Sequence, residues 1–430
     1  MKKIVLSMLL LFLIAGCKNN NTETSANKEG NQLTVWAWDK NFNIPIMEKA
    51  GEYYNKENKT KIEVNVVEMS NDDTKQKMVS GFTSGVNEGL PDIVLMDDYD
   101  IQNYLSNYEG KFAPLSDAID FSQFAEYKVD NGTYKKEVYA VPFDSGSAGL
   151  YYRTDYLKEA GYTEKDMENL TWSQFLTIGK DVKEKTGKWF LAFIPNRGTH
   201  YIQLAMQSAG LWYFDDKQEI FLKNNPAVRE MVQILKEIND NQLAKPVDYF
   251  APEGIGAVTN GDVAAVNSAI WFSATIRSAE DQKGKWAYTN LPRLEKTENA
   301  TPYSNLGGSS WLVLNDSPNK ELAIQFLNEI FAGNEEFYQD ILLTNGAVGT
   351  YKPSQEGDAY LSKDSFFNDK LIYKDFSEWM NEIPPVDYGK NTQAAIDALR
   401  SVLQDYFDGK LTLDEMLEEA ENNYNAQTGK

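Results

Sequence analysis

The sequence predicts an α/β protein of two lobes, and three observations carry that prediction. Strand-like and helix-like segments alternate from Leu33 to Met96, the βαβ rhythm of an open, mostly parallel sheet. Roughly four hundred residues follow the leader, too many for one small core, which points to two lobes. The chain holds one cysteine, Cys17, so no disulfide can form within it and stability must come from packing.

Met1-Lys2-Lys3 precedes the apolar run Ile4–Ile14 and then Ala15-Gly16-Cys17. Two lysines, a short apolar segment and small residues spell a secretory signal over residues 1–16. The run falls well short of the ~20 apolar residues that span a bilayer. Ile14-Ala15-Gly16-Cys17 also resembles the lipobox of bacterial lipoproteins, in which the cysteine carries the lipid after cleavage. An ordinary signal peptide with a chance cysteine, or a buried thiol, is the alternative. Residues 17–32 are polar, without aromatic or branched apolar side chains, and read as a flexible tether.

A formal charge of −22, from 64 acidic against 42 basic residues, excludes nucleic acid as a partner, since no Lys/Arg stripe could neutralise phosphates. It also keeps the body of the protein away from anionic lipid, leaving membrane contact to the anchor. Nine Trp and 24 Tyr exceed what a core needs and point to an aromatic surface for an amphipathic ligand.

The elements follow in order. Leu33–Trp38 reads as a strand and a helix starts near Ile44, with Asn43 as N-cap and Pro45 in its first turn. Lys61–Val67 alternates with period two, Asp72–Val86 has helical spacing, and Leu90–Met96 is a third strand. Ligands on such sheets sit beyond the carboxyl ends of the strands, here Trp38-Asp39-Lys40-Asn41 and Asp97-Asp98-Tyr99. Val138–Arg153 joins two extended runs through a Gly-rich stretch suited to a passage between lobes. Thr171–Gln174 is a capping box, Trp189–Phe193 a buried strand, and Asn225-Pro226 opens a long helix. Val263–Val266 leads to Trp271, and Ser304–Leu314 with its Gly307-Gly308 pair is a second passage. Ser317-Pro318 is expected to cap a helix, and the chain after Tyr351 to be helical to its end, its last helix opening on a capping box at Thr412 with Asp414-Glu415.

Leu33-Thr34-Val35-Trp36, Leu90–Val94, Val141–Asp144, Tyr152–Asp155 and the Gly307-Gly308 segment before Ser317–Ala323 occur in that order behind the lipobox. Together they resemble the family 1 extracellular solute-binding proteins, the maltose-binding-protein-like sugar-binding lipoproteins of ABC importers, over nearly the whole chain. The resemblance implies the type II periplasmic-binding fold, two hinge-linked α/β lobes with a ligand cleft. Its boundaries would be 33–143 with 305–350 and 144–304 with 351–430. It implies a monomeric sugar trap lipid-anchored at Cys17 on the extracellular face of a cell membrane; such an anchor confines a binding protein without a periplasm, which favours a Gram-positive cell. Its partners would be a carbohydrate and ABC permease subunits powered by a separate ATPase; no G-x-x-x-x-G-K-[ST] loop occurs here.

A pyranose needs aromatic rings against its C–H faces and fixed polar groups at its hydroxyl rim. Carried over by position, the resemblance implies ligand contacts from Trp38, Asp39, Asn41, Asp97, Asp98, Tyr99, Asp144, Arg197, His200, Trp271, Asn305, Gly307, Gly308 and Tyr388. Several have plainer readings. Asp97 and Asp98 could be helix N-caps, Asp144 a hinge acceptor, His200 a capping residue and Gly307-Gly308 a matter of backbone geometry. Trp36, Trp172, Trp189, Trp286 and Trp379 read as packing.

No cofactor, metal site or catalytic residue is expected. One histidine and one cysteine exclude the usual zinc spacings, G-x-S-x-G is missing, and Asn71-Asp72-Asp73 lacks the EF-hand pattern. A glycan-binding surface protein uncoupled from transport shares every feature. A glycoside hydrolase shares the acids and aromatics.

Overall fold

A computed structural model describes residues 31–40 and 42–429. The leader, Cys17, most of the tether and Asn41 lie outside the described residues. A five-stranded sheet runs in the order Glu63–Glu68, Gln32–Ala37, Ile93–Asp97, Ser309–Val313, Ala140–Asp144. The first three strands are parallel, and Ser309–Val313 lies antiparallel to both of its neighbours. Alternation along Leu33–Ala37 explains why both faces are covered. Leu33, Val35 and Ala37 pack with Ile46, Met47, Phe326 and Phe337, while Trp36 turns to Met78, Phe82 and Ile101 on the other side.

A second, three-stranded sheet has Ala148–Arg153 at its centre, antiparallel to Ala265–Ala269 and Trp286–Thr289. Leu150 and Tyr152 face the helices Trp172–Thr186, Thr199–Ser208, Pro226–Asp240 and Thr392–Phe407, whereas Tyr151 faces Phe367 and Phe376. Among the described residues no helix is long and apolar enough to cross a membrane.

Only Ser145-Gly146-Ser147 separates the last strand residue of the first sheet from the first of the second. Two returning segments lie against this passage. Leu306 N–H donates to Gly146 O at 2.8 Å, Ala148 N–H to Ser304 O at 3.0 Å and Ser145 N–H to Val348 O at 3.0 Å. A Cβ on Gly146 would stand 2.5 Å from Leu306 O, so this close approach admits glycine alone.

Local signals that depend on neighbours in the chain are met. Thr171 and Thr412 each form a capping box, and Asn225 caps Pro226–Asp240 from its side chain. Others need correction. Asn43 is not an N-cap: it is the first residue of Asn43–Asn58, and its Oδ1 accepts Asp39 N–H at 3.0 Å to close the preceding turn. Ser317 likewise forms a turn, accepting Asn319 N–H at 3.0 Å, so the helix begins only at Lys320. The Trp189–Phe193 strand shrinks to Leu191–Ala192, because Trp189 pairs with Val263 while Leu191 and Ala192 pair with Ala244 and Lys245. The stretch after Tyr351 is three short 3₁₀ turns before the helices Ile372–Met380, Thr392–Phe407 and Leu413–Thr428.

Candidate functional site

The passage Ser304–Ser309 forms the floor between the two sheets. Gly307 and Gly308 both hold positive φ, 78° and 101°, where a side chain would be strained. At Gly308 a Cβ would also stand 2.7 Å from Asp98 Oδ2. The peptide between Leu306 and Gly307 is gripped from both ends. Its carbonyl accepts Trp271 Nε1–H at 3.1 Å, and its N–H donates to Tyr99 Oη at 3.2 Å. In a trans peptide these two groups point in opposite directions. The rings of Trp271 and Tyr99 therefore stand at opposite edges of one peptide.

The Tyr99 side is closed behind Tyr99, which is itself half-buried. Its ring stacks on Trp212, with centroids 5.5 Å apart and planes at 28°, and meets Tyr388 edge-on at 4.9 Å. Trp212 is 2% exposed and donates from Nε1 to Thr392 Oγ1 at 2.9 Å. Below it runs a buried hydrogen-bond chain. Tyr127 Oη donates to Asn305 Oδ1 (3.3 Å), Asn305 Nδ2 to Tyr388 Oη (3.2 Å), Tyr388 Oη to Gln207 Oε1 (2.7 Å) and Gln207 Nε2 to Pro384 O (2.7 Å). The Trp271 side is open. Trp271 is half-buried, and Phe250 beside it is 49% exposed. Trp38 and Asp39, also half-buried, follow directly on the Gln32–Ala37 strand.

The carboxylates divide sharply. Asp98 is fully buried, its Oδ2 in an ion pair with Lys128 Nζ at 2.6 Å and its Oδ1 accepting from Ser310 Oγ at 3.0 Å. Loss of hydration raises its pKa, and Lys128 pulls against that. Asp144 Oδ1 accepts from Ser309 N–H and Oγ at 2.8 and 2.6 Å, a clasp across the passage. Asp97 caps Asp98–Asn107 through Tyr99 N–H at 2.9 Å. Loss of hydration, with Asp100 close by, pushes its carboxyl up to about 7. In this geometry Asp98 spends both oxygens, and Asp144 its Oδ1, on the protein itself.

Arg197 and His200 lie apart from the floor. Arg197 is exposed and pairs with Asp248 at 3.5 Å. His200 is buried against Tyr249 and Tyr201, and Nδ1 sits 3.2 Å from Arg197 O. Burial pushes its pKa down to about 4, so the ring is neutral. Trp212, Phe250, Gln207 and Tyr127 are site residues that the sequence reading did not single out. The aromatic run Trp212-Tyr213-Phe214 after a helix end was the available signal for the first.

A niche of about 350 Å³ adjoins the closed side, lined by Gln102, Asp130, Asn131 and Thr133 opposite 385–388. A groove of about 790 Å³ lies elsewhere, over Trp36, Val67 and Phe82 on the first sheet, without contact to the floor. Among the described residues no cluster of three or more His, Cys, Asp or Glu could hold a metal ion.

The family model for bacterial extracellular solute-binding proteins matches residues 49–366. The chain belongs to that family. It is 46% identical over 358 residues to a lactose-binding protein of Rhizobium radiobacter, covering 83% of this chain and 84% of that one. Among solved structures it matches the galacto-N-biose/lacto-N-biose I-binding protein of a Bifidobacterium longum ABC transporter. There the TM-score is 0.75 at 16% identity, over 94% of this chain and 98% of that one. A cyclic α-maltosyl-1,6-maltose-binding protein from Arthrobacter globiformis gives a TM-score of 0.75 at 18% identity, over 92% and 99%. At such identities these structures establish the fold alone, and it is that of type II periplasmic sugar-binding proteins. The family consists of extracellular solute-binding proteins rather than enzymes.

Proposed function

We propose that this solute-binding protein captures a disaccharide or short oligosaccharide of the lactose type and hands it to the permease of an ABC importer. The observation that carries the proposal is the half-buried Trp271, pinned through Nε1 to the backbone of a glycine floor between two sheets. An indole fixed at that depth offers a ring to one sugar face, and a floor without side chains leaves room for the ring. Similarity to a lactose-binding protein over most of the chain supports a galactosyl disaccharide over a monosaccharide.

The lobes on this reading are 33–143 with 305–350 and 144–304 with 351–430, meeting at the three passages around Gly146, Asn305 and Val348. Sugar contacts would come from Trp271, Trp38, Asp39, Asn41 and Asp97, with the Gly307-Gly308 backbone beneath. Capture is hinge closure without covalent chemistry. The chain is a monomer held by lipid on Cys17 at the outer face of a Gram-positive membrane, beside its permease and a separate ATPase.

The test is binding itself. Tryptophan fluorescence and thermal unfolding against a sugar panel should respond to lactose or a related oligosaccharide. No response to any sugar, with a response to a peptide or amino acid, would overturn the reading. Release of monosaccharide on incubation would instead reveal a hydrolase.

A further inference from the structure

We propose that Phe250 is a second stacking platform, holding the sugar unit next to the one on Trp271; this rests on the reading of the interlobe site as a sugar site. Its ring centroid lies 6.4 Å from that of Trp271, with the planes at 30°, so two similarly inclined rings stand next to one another. Phe250 is the one aromatic ring among the exposed large apolar side chains of the described residues.

Its exposure is built rather than incidental. Phe250 N–H donates to Asp248 Oδ1 at 3.1 Å, and Ala251 N–H to Asp248 O at 3.2 Å, closing the turn. A Cβ on Gly254 would stand 2.2 Å from Asp248 O, so the loop closes this tightly only over glycine. Pro252 opens the next helix at once. Tyr249 and His200 meet the ring edge-on at 4.6 and 5.3 Å, so neighbours hold it while half of it stays in water. Arg197 reaches Asp248 from outside the loop. A rigid, half-exposed ring beside a pinned tryptophan is a surface for apolar C–H faces that loses little conformational freedom on binding.

The test compares Phe250→Tyr and Phe250→Leu with wild type by isothermal titration with lactose, and with maltotriose alongside. Phe250→Tyr keeps the ring and should bind within about twofold of wild type, whereas Phe250→Leu should bind about five- to tenfold more weakly. Unfolding midpoints of both should match wild type, because the side chain is half in water. Equal affinity of Phe250→Leu and wild type, or equal losses in both variants, would overturn the assignment of Phe250 while leaving the sugar site standing. Failure of wild type to bind either sugar would overturn the site reading first, and this inference with it.

Discussion

Tyr99 and Trp271 hold opposite ends of one peptide, yet the walls they belong to have opposite characters. On the Tyr99 side the half-buried Tyr99 ring is backed by Trp212 and Tyr388, which are cut off from water. On the Trp271 side the polar edge is satisfied by Leu306 O, while the ring and its neighbour Phe250 stay partly open. Aromatic abundance alone does not mark a binding face. Rings that satisfy one another fasten two parts of a protein together, and rings fixed at one edge but bare on a face are left for a ligand.

Removing a ring from each wall should separate the two roles. Trp212→Ala opens a cavity in the closed wall and should cost about 3–5 kcal/mol of stability, read by urea unfolding. Lys128→Met beneath the same wall leaves the buried Asp98 carboxylate without its cation. It should cost a similar ~3–5 kcal/mol, with recovery in Lys128→Met/Asp98→Asn. Trp271→Ala should lower the unfolding midpoint less than Trp212→Ala, its ring being half in water, and weaken lactose binding by about 2 kcal/mol, roughly thirtyfold, in a titration. Tyr388→Phe interrupts the chain from Asn305 to Gln207 and should cost about 1 kcal/mol of stability, with a smaller change in sugar affinity.

A further effect is in the pH profile. Asp97 holds its proton up to about 7 in the folded protein, against ~3.9 unfolded. The unfolded chain therefore binds fewer protons between those values, and stability falls as pH rises through that window. His200 behaves oppositely. Its folded pKa near 4 lies below the unfolded ~6.5, so stability falls as pH drops from about 6.5 toward 4. Asp97→Asn should remove the decline toward neutral pH, and His200→Gln the decline toward acid, in unfolding midpoints recorded from pH 4 to 7.5.

What could be read from the sequence follows the range of the interactions. The alternation of Leu33–Ala37, the capping boxes at Thr171 and Thr412 and the glycine pair at 307 and 308 are set by neighbours a few residues away, so they were legible. Asn43 and Ser317 misled because a turn and an N-cap use the same side chains, and only the path of the backbone decides between them. Asp98 looks like a free carboxylate at a strand end until Lys128, thirty residues on, arrives beside it. Trp212 and Phe250 were invisible as a pair of opposites, since burial and exposure of a ring depend on which elements pack around it. No pattern of spacing carries that.

The central claim is that the open wall between the sheets receives a sugar. Thermal unfolding of the protein with and without lactose tests it most directly. At lactose a hundredfold above Kd, the folded state should gain about 2.7 kcal/mol and the midpoint should rise, and Trp271→Ala should lose most of that rise at the same concentration. An unfolding midpoint that neither lactose nor any oligosaccharide moves, while a peptide or an amino acid raises it, would contradict the account.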